Sequence, residues 1–197
     1  MATTNTHTVF SRFDKWFAEA QACASIPYPN AMNLATVNYH KAPSSRIVLL
    51  KARDDEGFVF YTNLASRKSE EIKINQGVAL CFYWGELSKQ IRIEGLAEPT
   101  TDAESDAYFA TRPRESQLGA WASLQSTAMQ HPDDLKTRFA EIAQQYEGKN
   151  VPRPPHWGGW RVIPSRIEFW QEALHRLHRR DVYKRVLDGW EHEVLYP

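Results

Sequence analysis

Between Val9 and about Ala24, apolar Phe10, Phe13, Phe17 and Ala20 recur at steps of three and four, which predicts an amphipathic helix with one buried stripe. The pattern then changes to runs of Val, Ile, Leu and aromatic residues: AMNLATVNY, SSRIVLLKA, GFVFYTN, VALCFYW and KQIRIEGLAE. Turn-like breaks separate most of them, so they predict five consecutive strands of an antiparallel sheet or barrel. The polar stretch Arg53–Gly57 is a hairpin turn joining the second run to the third. A short surface helix is predicted over 66–75, with Ser66 as its N-cap. Thr101 and Glu104 fit a capping box, Pro113 breaks the helical pattern, and Leu135, Phe139, Ile142 and Tyr146 predict a further helix over 132–147. The segment GKNVPRPPHWGG reads as a loop within a domain, and WRVIP, RIEFWQ and WEHEVLY as three more strands.

The fold class expected is therefore α+β, mainly antiparallel β, in a single domain over 1–197 with a flexible lead-in at 1–9. Lys plus Arg and Asp plus Glu each number 24, so the formal net charge is zero, and there is no global field for nucleic acid or an anionic membrane. Any anion site must be local. No apolar run approaches the length of about 20 residues that spans a bilayer, and the polar start lacks the parts of a signal peptide, so a cytoplasmic chain is expected. Cys23 and Cys81 are too few for a disulfide framework or a four-thiolate zinc site.

Several charges sit against local expectation. Arg67 and Lys68 follow the Ser66 cap directly, at the helix end that already carries partial positive charge. A bound phosphate would reverse that cost; alternatively, Glu70 and Glu71 neutralise the two cations on a solvated face. Arg46 and Lys51 bracket the apolar run Ile47–Leu50, and their odd spacing puts them on opposite faces of a regular strand. Either the strand is irregular there or both side chains reach water. Tyr108 and Arg112 share a helix face, and the break at Pro113 can bring Ser116 to the same anion. His175 and His178 have a spacing that chelates a metal when helical, but no thiol or acidic third ligand stands nearby except Glu172. Neither a nucleophile elbow nor a glycine-rich nucleotide loop is present.

RIVLLK (46–51), FYTNLASRK (60–68), the RPRESQLGAW run, LQS (124–126), WGGWRV (157–162) and IEFWQ followed by HRLH together resemble the pyridoxamine 5'-phosphate oxidase family, with spacing preserved from about Phe10 to Pro197. The resemblance implies an FMN-binding split β-barrel with peripheral helices, acting as a homodimer with the flavin at the subunit interface. Carried onto matching positions, it implies an FMN site of Arg46, Ile47, Val48, Leu49, Leu50, Lys51, Tyr61, Thr62, Arg67, Lys68, Gln90, Gln125, Ser126, Trp170 and Arg180. It implies Lys51, Tyr108, Arg112 and Ser116 around the substrate phosphate, with Arg176 and His178 over the ring as the catalytic pair. Here Arg179 precedes Arg180 where many family members carry Asp, and nothing before Phe10 matches the family's Arg-Arg-x-Tyr element.

The activity implied is oxidation of pyridoxamine or pyridoxine 5'-phosphate to pyridoxal 5'-phosphate, with dioxygen as acceptor and hydrogen peroxide as co-product. A flavin does the redox work in such a reaction, leaving the protein to stack rings and complement charge. Two alternatives stand beside it. A split-barrel flavin reductase or carrier would need Arg46, Arg67 and Lys68 but not the Tyr108, Arg112, Ser116, Arg176 and His178 set, and a pyridoxal phosphate-binding module would retain ligand without turnover.

Overall fold

A computed structural model of the chain describes residues 3–197. Its elements run β1 (Thr3–Thr4), α1 (Thr6–Ala22), β2 (Ala31–Val37), β3 (Pro43–Leu49), β4 (Ala52–Arg53), β5 (Phe58–Asn63), α2 (Arg67–Ile74), β6 (Gly77–Trp84) and β7 (Lys89–Pro99). Three helices follow, α3 (Asp102–Ala110), α4 (Arg114–Ala122) and α5 (Asp134–Gln145), and then β8 (Trp157–Gln171), β9 (Arg179–Val186) and β10 (Gly189–Leu195). The strands form one antiparallel sheet in the order β1-β10-β9-β8-β7-β6-β2-β3, while β5 pairs with β4 and with β8. The sheet curls into a half-barrel.

Helix α1 fills the barrel because its stripe is aromatic. Phe13 meets Phe58 edge-on at 4.9 Å and Phe82 at 5.4 Å, and Trp16 meets Phe169 at 5.3 Å. Such contacts combine large apolar burial with favourable ring quadrupoles. Trp16 is buried with Phe10 and Phe13, whereas Phe17 lies at the edge of the stripe. Asn5 caps this helix, accepting from the Thr8 amide at 2.9 Å. Within the lead-in, β1 pairs with β10, and Val9 is fully buried in the core. Residues 1–2 of that segment lie outside the described residues.

Two corrections concern the C-terminal third. WRVIP and RIEFWQ are one strand, β8, carried past a register shift opposite Glu94 and Gly95. Such a bulge bends a strand without ending its pairing. The charged segment Arg179–Val186 is also a strand; three consecutive residues, Asp181, Val182 and Tyr183, are buried and five of its eight residues are charged, so it carries no alternating apolar pattern. The capping box of α3 is present in full, and Pro113 separates α3 from α4. A second apolar cluster, Phe109, Leu118, Val151 and Trp157, joins these helices to the start of β8.

Candidate active site

A cavity of about 470 Å³ opens where β3, β5, α3 and α4 converge. Ile47, Val48 and Leu49 reach it from β3, Lys51 from just beyond, Tyr61 and Thr62 from β5, and Lys68 from α2. Tyr108, Arg112 and Ser116 enter from the α3–α4 break, and Gln125 from the loop after α4. One wall is an aromatic stack: the Tyr61 ring lies 4.2 Å from Tyr108 and 5.2 Å from Trp157, nearly parallel to both. Gly159, paired with Tyr61 across β5 and β8, makes room for that ring; a Cβ there would lie 2.7 Å from it.

Arg112 is a cation of this cavity that meets no carboxylate among the described residues. Its guanidinium carbon sits 4.8 Å from the Trp157 ring centroid, and its Nη1 is buried with no hydrogen-bond partner among the described residues. Burial pulls its pKa below the usual guanidinium range. A buried unpaired donor costs roughly 1–3 kcal/mol, more when charged, so the guanidinium stands at the cavity wall with one donor unspent. Tyr108, Ser116 and Lys51 complete a set of donors suited to a phosphate.

A second group of cations lies at the start of α2. Ser66 does not cap this helix through its side chain; its hydroxyl donates instead to the Asn63 carbonyl at 2.7 Å. First-turn amides therefore lack the usual side-chain acceptor. Lys68 Nζ donates to Thr62, Ser66 and Gln125 at 2.9–3.0 Å and meets no carboxylate among the described residues. Burial, with nearby Arg46, pushes its ammonium down to about 8. Arg46 and Arg67 both reach Glu71, while Glu70 pairs with Lys73. The neutralising alternative thus holds for Arg67 through Glu71 and not for Lys68. Arg46 and Lys51 diverge because β3 ends at Leu49. Arg46 turns toward Glu71, Lys51 lines the cavity, and Leu50 is buried in the core with its amide donating to Asn30. Ser126, with φ +71°, accepts from the Arg67 amide at 3.2 Å.

The remaining candidates form a separate constellation. Gln90, Trp170 and Arg180 stand in one transverse row across β7, β8 and β9. The His178 ring lies 4.9 Å from Trp170, and its Nδ1 accepts from the Ala173 amide, an arrangement that leaves Nε2 as the free nitrogen. Arg176 and His178 line a cleft with Ser88, Glu172, Leu174 and His175. His175 and Arg176 both have left-handed backbone, with φ +57° and +62°, a strained pair for residues with side chains. Buried Glu168 holds Arg180 at 2.8 Å, and the added Arg179 is absorbed by buried Asp181 at 2.7 Å. The two constellations share no cavity within one chain. Trp157 was not singled out from the sequence; the glycine pair after it, which admits close approach, is the signal that marks it. No helix among the described residues is long and apolar enough to cross a membrane.

Comparison with known proteins agrees with this geometry. A family profile described as pyridoxamine 5'-phosphate oxidase matches residues 18–146, and one described as the pyridoxine 5'-phosphate oxidase C-terminal dimerisation region matches residues 157–197. The pyridoxine/pyridoxamine 5'-phosphate oxidase of Rubrobacter xylanophilus is 55% identical over 186 residues, which cover 94% of this chain and 85% of the relative. Among solved structures, PhzG from Burkholderia lata, in complex with tetrahydrophenazine-1-carboxylic acid, superposes with a TM-score of 0.90 at 32% identity, covering 95% of this chain and 92% of that one. A pyridoxamine 5'-phosphate oxidase-related, FMN-binding protein from Nostoc punctiforme shares the fold with a TM-score of 0.74 at 17% identity, covering 93% and 96%. With both profiles matched in order and a relative 55% identical over 94% of the chain, the chain belongs to the pyridoxamine 5'-phosphate oxidase family.

Proposed function

We propose that this protein oxidises pyridoxamine 5'-phosphate and pyridoxine 5'-phosphate to pyridoxal 5'-phosphate as a homodimer, using bound FMN and dioxygen and releasing hydrogen peroxide, with water consumed and ammonia released when the substrate is the amine. The observation that carries the reading is the buried, unpaired Nη1 of Arg112 in a cavity that also holds Lys51, Tyr108 and Ser116. A flavin carrier has no need of this second anion set beside the first. Lys51, Tyr108, Arg112 and Ser116 would bind the substrate phosphate, and Arg46, Arg67 and Lys68 that of FMN, with Gln125, Ser126, Tyr61 and Thr62 beside it. The Ile47–Leu49 edge of β3 offers an apolar face for a flat ring. When bound, FMN supplies the two-electron acceptor for the substrate's C4' carbon and a route for those electrons to dioxygen.

The dimer follows from the separation of the two constellations. Gln90, Trp170, Arg176, His178 and Arg180 stand on strands or turns within or beside the matched dimerisation region, away from the Arg112 cavity. In the dimer they would complete the partner's site. Arg176 would orient the substrate and stabilise charge near its reacting carbon while keeping its own proton, and His178 would orient the ring or move a proton through Nε2. The test is a peroxide assay in air on protein purified with its natural chromophore. Both phosphorylated vitamers are expected to yield peroxide and pyridoxal 5'-phosphate in equal amounts. Flavin-loaded protein that yields neither would reject the oxidase and leave the carrier.

A further inference from the structure

We infer that Glu71 is a positioning residue for the phosphate end of the flavin site, holding the guanidinium groups of Arg46 and Arg67 in place before the cofactor arrives. The inference rests on the FMN reading above. Glu71 is 4% exposed, yet it sits among cations and hydroxyls contributed by β2, β3 and α2. Its Oε2 accepts from Thr36 Oγ1 at 2.5 Å, Ser44 Oγ at 2.7 Å and Arg46 Nη2 at 3.2 Å, and its Oε1 from Arg67 Nε at 2.9 Å. Arg46 in turn donates to Thr36 Oγ1 at 2.5 Å and to Ser44 Oγ at 2.6 Å. Each hydroxyl has one proton, so accepting from Arg46 while donating to Glu71 fixes its direction. The network runs one way, from guanidinium through hydroxyl to carboxylate. Although burial opposes it, hydrogen bonds from Thr36, Ser44 and Arg67 hold this carboxyl down at about 2, so it stays ionised.

For attraction of a dianion alone, a carboxylate touching two neighbouring arginines is adverse. Its benefit is geometric. Arginine loses much rotamer freedom when fixed, and Glu71 imposes that order in advance of binding. Arg67 uses only its Nε on Glu71; its terminal nitrogens make no hydrogen bond among the described residues, and its side chain is 63% exposed. The fork is thus held by its inner nitrogen and presents its outer ones to a ligand. Its backbone amide is held as well, by Ser126.

The experiment titrates flavin-stripped full-length protein with FMN and with riboflavin, which lacks the phosphate. Glu71→Gln must turn its amide nitrogen toward Arg67 or toward the Thr36, Ser44 and Arg46 group, so one anchor is lost. FMN affinity is expected to fall about tenfold, the order of one charge-assisted hydrogen bond, with riboflavin affinity unchanged. In an Arg67→Ala background the same substitution is expected to add less than it does alone, because only the Arg46 anchor is left for it to act through. Glu71→Ala is expected to lose more; if it fails to fold, the near-isosteric Gln variant decides. Equal weakening of FMN and riboflavin, or FMN binding unchanged or tightened, would overturn the positioning role. Wild-type protein that takes up neither flavin would overturn the FMN reading and this inference with it, whereas normal wild-type uptake with an unmoved FMN-to-riboflavin ratio would overturn this inference alone.

Discussion

Arg112 lies against the indole of Trp157, guanidinium carbon 4.8 Å from the ring centroid, with one terminal nitrogen buried and unpaired among the described residues. Stacking on an aromatic face orients a guanidinium without using its hydrogen-bond donors. Nη1 keeps its donors unspent among the described residues. Arg112→Ala is therefore expected to raise KM for both phosphorylated substrates by about 10- to 100-fold, the equivalent of roughly 1.5–3 kcal/mol for a charged hydrogen bond. Flavin content should be unchanged. Steady-state kinetics and the flavin absorbance of the purified variant check both.

Lys68 gives the flavin site a pH limit. Burial, with help from Arg46, brings its free-state value down to about 8, and a phosphate dianion beside it would raise that value again. The bound form then holds the proton more tightly than the free form. Affinity for FMN is expected to be complete below about 8 and to fall as pH rises through and beyond it. Riboflavin binding should not follow this profile, and Lys68→Met should flatten it while lowering FMN affinity at neutral pH. Fluorescence titrations from neutral to alkaline pH would measure it; a flat wild-type profile would remove Lys68 from the phosphate end.

Gly159 carries the Tyr61 wall. A Cβ at this position would stand 2.7 Å from the Tyr61 ring and 2.7 Å from the Thr100 hydroxyl, both closer than packed atoms tolerate. Gly159→Ala is expected to destabilise the fold by about 1–3 kcal/mol, as overpacking does, and to displace the ring that stacks on Tyr108. Chemical denaturation gives the first quantity, and near-ultraviolet circular dichroism the second.

Separation of the two constellations makes the subunit arrangement testable with impaired variants. Arg176→Ala should lose turnover and keep its flavin. Mixed by co-expression with Arg112→Ala and assayed far below the wild-type KM, where Arg112→Ala homodimers turn over little, it is expected to recover about a quarter of wild-type activity, because random pairing makes half the dimers mixed and each mixed dimer holds one intact site. Recovery no greater than the sum of the two variants would mean that each chain supplies its own Arg112 and Arg176 to one site.

Much of the fold was legible because strands and helices announce themselves by local period. The α1 stripe, the β2–β7 runs, the Thr101–Glu104 box and the break at Pro113 each need only neighbours in sequence to be recognised. Strand β9 escaped because five of its eight residues, Arg179, Arg180, Asp181, Lys184 and Arg185, are charged and dilute the apolar signal. WRVIP and RIEFWQ read as two strands because Pro164 and Ser165 interrupt the apolar run, whereas the register shift opposite Glu94 and Gly95 lets the pairing continue past them.

Sequence alone determined which segments fold into which elements, where charges break local rules and which family pattern the chain carries. Tertiary structure decided what each misplaced charge does. Arg67 and Lys68 are adjacent, but the first is held by Glu71 and the second meets only neutral acceptors. Arg112 and Arg176 look equally exposed as letters, but one lies on Trp157 with a buried unpaired nitrogen, while the other lines a separate cleft on a strained turn. Element formation depends on the order of neighbours along the chain. Compensation of a charge depends on groups brought within a few ångströms from distant elements, and only the folded register sets those.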